Sequence, residues 1–219
     1  IDYVRVRCAN PYNGETAVYI LAKARVEAVM GKIEYEILPG EFKGKDLVGI
    51  CYEQLIPWFN PGEGAFRVIP GDYVTTEDGT GIVHIAPTFG ADDNKVAKAA
   101  GVPPLQVVDK DGNRQAQVDR QGRFYLIEDL DSAWAEQNMD PSYKEWAGRY
   151  VKNAYDAALP ADAPTLDVDL CVWLKGSARV FKIEKHTHTY PHCWRTDKPV
   201  LYYPLDSWFI RTTAVREKM

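Results

Sequence analysis

A histidine is followed eight and nine residues later by a pair of aspartates in the run Gly79-Thr80-Gly81-Ile82-Val83-His84-Ile85-Ala86-Pro87-Thr88-Phe89-Gly90-Ala91-Asp92-Asp93. The residue types read as a short strand over 82–86, a glycine-containing loop, and the first turn of a helix. That order brings His84 and the aspartates to one end of the element. Alternation puts Ile82, His84 and Ala86 on one strand face, with small Ala86 leaving room beside the imidazole. On residue type alone, His84 is either a core histidine satisfied by a backbone carbonyl or one wall of a cleft. An aspartate at a helix N-terminus caps the helix or complements its dipole, a contribution of about 0.3–1 kcal/mol. One of the pair reads as the cap, which leaves the other to face the cleft. A carboxylate held in its ionised form is a good counter-ion for an ammonium group and a poor general base, so the chemistry indicated is the anchoring of an amine.

Other constellations are weaker. Gly79-x-Gly81 precedes a strand and has His84 where a third glycine would stand, so it is not a dinucleotide fingerprint. The segment His186-Thr187-His188-Thr189-Tyr190-Pro191-His192-Cys193 holds three of the four histidines, yet Cys193-Trp194-Arg195-Thr196 lacks the second cysteine of a knuckle. It reads as a partly exposed strand and not as a metal centre. There is no Gly-x-Ser-x-Gly elbow, and no cysteine has a histidine partner by motif. A hydrolase built on this chain would use water as nucleophile.

The elements that must position these groups are short. Strands are predicted over 1–6, 33–38, 46–55, 66–76, 82–86, 166–174, 178–184 and 201–203. Residues 17–30 pass from strand to helix, with Gly31 as C-cap. A hairpin joins 105–109 to 114–118 across Lys110-Asp111-Gly112-Asn113. Helices are predicted over 92–100, ended by Gly101, and after Asp140-Pro141. In the second, Tyr143, Trp146, Ala147, Tyr150, Val151, Ala154 and Ala158 share a face that reads as core packing. The pattern predicts a mixed α/β domain with a barrel-like β core and peripheral helices.

At 219 residues the chain can bury a sizeable core, and its 46% hydrophobic and 26% charged residues are those of an ordinary globular protein. No apolar run approaches the roughly 18–20 residues that span a membrane. The four cysteines are scattered, which suits reduced thiols in the cytoplasm better than a disulfide framework. The net charge of −5 conceals an asymmetry: residues 173–219 carry nine Lys/Arg and four Asp/Glu, a net +5 on a body of −10. A basic end permits, without requiring, contact with a polyanion. The chain opens in mid-strand and stops in what reads as an unfinished helix, as a piece of a larger protein would.

The run 79–93, together with Lys45-Asp46-Leu47-Val48-Gly49, Tyr190-Pro191-His192-Cys193-Trp194-Arg195 and Ser207-Trp208-Phe209, resembles the isoleucyl-tRNA synthetases. The similarity is to the editing domain inserted in their catalytic fold, connective polypeptide 1, a fold shared with the valyl and leucyl enzymes, and it spans residues 1–211. Residues 212–219 would begin the return to the catalytic body. The resemblance implies hydrolysis of valine mischarged onto tRNA(Ile), and of valyl-adenylate. It implies that Asp93 holds the substrate α-ammonium as the catalytic residue, that His84 narrows the pocket against isoleucine, and that Thr88, Phe89 and Gly90 line the substrate site, with Asp92 left as cap. Candidate tRNA contacts are Arg179, Lys182 and Lys185. No cofactor is implied for editing, ATP and Mg being used by the parent enzyme, and no metal is implied, since Thr196 replaces a cysteine found in many relatives. The implied partners are the valine-bearing 3′ end of tRNA(Ile) and the rest of a cytoplasmic synthetase, with no membrane and a monomeric fragment. The family's threonine-rich strand would lie before Ile1. Two alternatives stand beside this: a non-catalytic tRNA-docking module using 173–219, and the editing domain of a valyl or leucyl enzyme.

Overall fold

In a computed structural model, residues 1–160, 162–185, 187–205, 207, 208, 210–214 and 216 are described. The chain begins with strand β1 (Asp2–Ala9), whose pattern places Tyr3, Val4, Val6 and Cys8 inside and the charged Asp2, Arg5 and Arg7 outside. β1 is the central strand of a four-stranded antiparallel sheet. It pairs along its length with β2 (Thr16–Ala22), on its other edge with β3 (Tyr35–Ile37), and at its start with β4 (Phe42–Lys43). Helix α1 (Val26–Met30) ends at Gly31, whose φ of +57° suits glycine, and drops Val26 and Met30 onto Val4, Val6, Cys8 and Leu21.

A larger aromatic core lies away from this sheet. Trp58, Phe59, Phe124, Tyr143 and Trp146 pack there, with ring centroids 4.4 Å apart for Phe59–Tyr143 and 5.1 Å for Trp58–Trp146. Two helices pack on it, α3 (Ser132–Asn138), whose start Asp131 caps by accepting from Trp134 N–H at 2.7 Å, and α4 (Leu166–Gly176); a further helix, α2 (Ala91–Ala100), follows the loop that holds Phe89. The predicted hairpin is present as β5 (Gln106–Val108) and β6 (Arg114–Ala116).

The chain later crosses back over the first sheet. Asn10, the buried polar residue at the end of β1, donates to the Val180 carbonyl at 2.9 Å and accepts from Tyr12 N–H, while Phe181 lies 4.4 Å from the Tyr19 ring.

The fold is mixed α/β, as expected, but the described residues form two small sheets and no closed barrel. Several predicted strands are absent. Residues 46–55 begin in a 3-10 turn (Gly44–Leu47) and continue as loop, and 66–76 are loop, the two touching at the Cys51–Arg67 bridge; 178–184 open in a turn, with Ala178 at φ +57°, and neither they nor 201–203 form a strand. The helix expected after Asp140 is a 3-10 turn (Pro141–Glu145) with Trp146 as C-cap; Gly148, at φ +79° beside Leu126, stands where a longer helix would have to continue, and Tyr143, Trp146, Ala147 and Val151 keep their place in the core. Residues 166–174 alternate like a strand, yet form α4. Leu166, Leu170 and Trp173 meet the aromatic core at i, i+4, i+7, and Asp167 and Asp169 complement the helix N-terminus.

Among the described residues, no helix is long and apolar enough to cross a membrane.

Candidate functional site

The segment 77–93 is held at both ends and spans from the first sheet to the second core. At its start, Tyr3 OH donates to the Gly81 carbonyl at 2.5 Å, Ala22 N–H to the Thr80 carbonyl at 2.8 Å, and the Arg25 guanidinium to the carbonyls of Glu77 and Gly79, each at 3.0 Å. Gly81 has φ +77°, and a Cβ there would meet the Ala22 Cβ at 2.6 Å. The glycine is required twice over, by backbone conformation and by close approach to the sheet.

At the far end, Ala86 is the hub. Its carbonyl accepts from the N–H groups of Phe89 and Gly90, both at 3.1 Å, which closes the 86–90 turn. Its own N–H donates to Oδ2 of Asp93 at 2.9 Å. Asn94 fixes the same turn by donating to the Pro87 carbonyl at 2.8 Å, and Thr88 Oγ1 donates to the Leu105 carbonyl at 2.8 Å. Phe89 packs on the aromatic core and edge-on to Tyr203, with centroids 6.5 Å apart.

Helix α2 thus begins with Gly90 as N-cap, which offers no side-chain bond, and Asp92 and Asp93 are its second and third residues. Asp92 is exposed and does not take the capping position expected of it. Asp93 does something else: its Oδ2 satisfies the backbone of the loop in front of the helix, while Oδ1 has no hydrogen-bond donor among the described residues. The result is a partly buried carboxylate, fixed in direction, with one oxygen open. Gly90 makes this possible. A Cβ at Gly90 would lie 2.7 Å from Oδ2 and 2.8 Å from Cγ of Asp93. Gly90→Ala is therefore expected to push the carboxylate off Ala86 N–H and lower stability by about 1–3 kcal/mol, read from urea unfolding; an unchanged midpoint would contradict this packing.

His84 sits between the two anchored ends. Residues 82–86 form no strand, so the strand reading fails, and its face assignment with it. The imidazole is exposed, which rules out the buried core histidine. Ala86, two residues on, is the group bonded to Asp93.

Tyr73 was not singled out from sequence. Its ring folds over Gly71, and its hydroxyl is pushed up, first by burial and then by the negative charge of Asp93, which places the phenol near that carboxylate. The signal was Gly71-Asp72-Tyr73, a turn signature within a stretch read as strand.

The basic candidates divide. Arg179 donates to the carbonyls of Gln54 and Leu55, and Lys182 to that of Val29 with Glu184 as ion-pair partner at 2.8 Å, so both bind the crossing segment to the body. Lys185 is exposed. Of the histidine-rich run, His186 lies outside the described residues, as does Phe209 of the Ser207-Trp208-Phe209 motif. His192 Nδ1 lies 2.8 Å from the Asp197 carbonyl oxygen, and among the described residues no three metal-ligating side chains converge.

No family model matches the chain. Its relatives are aminoacyl-tRNA ligases, and they align over the whole of it. It is 58% identical to a protein of Porphyromonas gingivalis, 57% to one of Bacteroides fragilis and 41% to one of Clostridium tetani, each an isoleucine–tRNA ligase. The chain spans 21%, 21% and 17% of their respective lengths. It therefore belongs, as a segment of about a fifth of the whole, to the isoleucine–tRNA ligase family.

Proposed function

We propose that this chain is the editing unit of its ligase, a hydrolase that removes valine wrongly esterified to tRNA(Ile) and acts also on valyl-adenylate, with residues 1–211 forming the domain and 212–219 leading back to the catalytic body. The observation that carries the reading is the Asp93 carboxylate, tethered through Oδ2 to Ala86 N–H and open at Oδ1. An aminoacyl ester differs from an ordinary ester by its α-ammonium, and a fixed anion with a free oxygen is the group that holds one. Thr88, Phe89 and Gly90 form the wall beside it, and His84, on the strap between the two anchors, narrows the space for the aliphatic side chain.

A second site of this kind has a physical reason. One methylene in an apolar pocket discriminates by only about 1–3 kcal/mol, a rule for which isoleucine against valine on this very class of ligase is the standard worked case. A pocket that excludes by size multiplies that ratio, because overpacking is resisted where a small void is tolerated. In the reaction water forms a bond to the ester carbonyl carbon, the bond to the ribose oxygen breaks, that oxygen takes the proton released by water, and free valine and intact tRNA leave. Asp93 positions the amine; it does not take the proton.

A docking module based on the basic segment has less support, since Arg179 and Lys182 spend their donors on the chain's own carbonyls. The test is the free amine. N-acetylation of valyl-tRNA(Ile) is expected to weaken its binding to the chain roughly tenfold or more, measured by filter binding, as loss of a charge-assisted bond requires. Equal binding of the two forms would contradict editing and favour docking.

A further inference from the structure

The strap 82–85 is bonded to neither core along its length. Among the described residues the backbone groups of Val83, His84 and Ile85 take no hydrogen bond, and Ile82 bonds only back to the Thr80 hydroxyl, at 3.2 and 3.4 Å. The position of His84 is therefore set by the two points where the strap is fixed, Gly81 and Ala86. These lie three and two residues away, or roughly 10 and 7 Å of extended chain. With no ladder between them, a shift of either end has nothing to absorb it before residue 84.

The Gly81 end is gripped at one spot of the first sheet. Tyr3 and Ala22 face each other across the β1–β2 ladder. Ala22 N–H donates to the Thr80 carbonyl at 2.8 Å, and Tyr3 OH to the next carbonyl, that of Gly81, at 2.5 Å. The Tyr3 hydroxyl is thus the last group of the sheet bonded to the chain before the strap begins. Tyr3 is 6% exposed, stacked on Phe42 with centroids 6.3 Å apart and packed with Ala22 and Leu47, so its ring is fixed. Gly81 is buried as well, and its carbonyl has no other donor among the described residues. One turn earlier, the half-buried Arg25 guanidinium spans the carbonyls of Glu77 and Gly79. Arg25 is mounted firmly, since Val26 beside it is buried in the first core.

A wall that excludes one methylene works only while it cannot retreat, and a displacement of about 1 Å is enough to change a rate about 100-fold. We propose that Tyr3 is a positioning residue for specificity: its hydroxyl fixes the Gly81 end of the strap, and through it the space that His84 leaves for the aliphatic side chain of the ester. Arg25 acts in the same sense by steadying the turn before Gly81. Tyr3 works through His84 and touches no substrate. The inference rests on the editing reading and on the part that reading gives to His84.

The test is Tyr3→Phe, which deletes one oxygen and keeps the ring. Deacylation of valyl- and isoleucyl-tRNA(Ile) is followed with the unaltered chain, Tyr3→Phe, His84→Ala and the double variant, and melting curves check that each is folded. The ratio of valyl to isoleucyl kcat/KM is expected to fall about fivefold or more in Tyr3→Phe. In the His84→Ala background the same substitution is expected to change that ratio by less than about twofold, because residues acting through one wall are not additive. A tyrosine that only supports the fold would lower both rates together and leave the ratio where it was. Arg25→Met keeps the aliphatic stem, removes the donors and is expected to move the ratio in the same direction; it carries the test if Tyr3→Phe does not fold. An unchanged ratio in the folded variant, or full additivity with His84→Ala, overturns the positioning role and leaves editing standing, provided the unaltered chain selects valine. An unaltered chain that releases neither amino acid sinks the editing reading, and the positioning role falls with it.

Discussion

Asp93→Asn is expected to lower the rate of valyl-tRNA(Ile) hydrolysis roughly 10- to 150-fold while leaving thermal stability within about 0.5 kcal/mol of the parent. The two halves of this result come from the two oxygens. A carboxamide oxygen can still accept the Ala86 N–H that Oδ2 accepts now, at 2.9 Å, so the 86–90 turn and the start of α2 keep their shape. What the substitution removes is the negative charge offered to the α-ammonium. Asp93→Ala would remove both and could not tell a structural role from a functional one. Deacylation time courses together with melting curves make the distinction: full activity in a folded Asp93→Asn variant would show that the open oxygen holds no amine.

The second large effect concerns specificity. His84→Ala is expected to make correctly charged isoleucyl-tRNA(Ile) a substrate, raising its hydrolysis by about 5- to 150-fold, the equivalent of relieving an overpacking cost of about 1–3 kcal/mol, with the valyl rate changed by less than about threefold. The exposed imidazole has no part in either core, so little stability should be lost. The anchors at Gly81 and Ala86 keep the strap in place whatever residue 84 is, which confines the change to the side chain. A variant that still spares isoleucine would remove His84 from the sieve.

What could be read from the residues follows from how local each signal is. β1, the β2–α1 passage ended by Gly31, α2 ended by Gly101, and the β5–β6 hairpin depend on neighbouring residues, and all are present. The misreadings arose where distant packing decides. Leu166 to Leu174 alternates with period two, yet the aromatic core draws Leu166, Leu170 and Trp173 to one helix face. Val68 looks strand-like, but it lies in a loop that packs on Tyr3, Ala22 and Leu47. At the site, the helix that carries both aspartates was legible from its acidic start and from Gly101, but the bond between Asp93 and Ala86 was not. It requires the helix to start at Ala91, one residue earlier than the acids suggest, so that Asp93 and not Asp92 reaches back over Gly90. The approach of Tyr73 to Asp93 depends on packing between separate segments, which no local pattern encodes.

The most direct measurement is a pair of deacylation time courses, valyl-tRNA(Ile) and isoleucyl-tRNA(Ile), with this chain as the added protein. Editing predicts that valine is released at a rate well above the spontaneous one while isoleucine stays on its tRNA. Release of both at equal rates, or of neither, would contradict it.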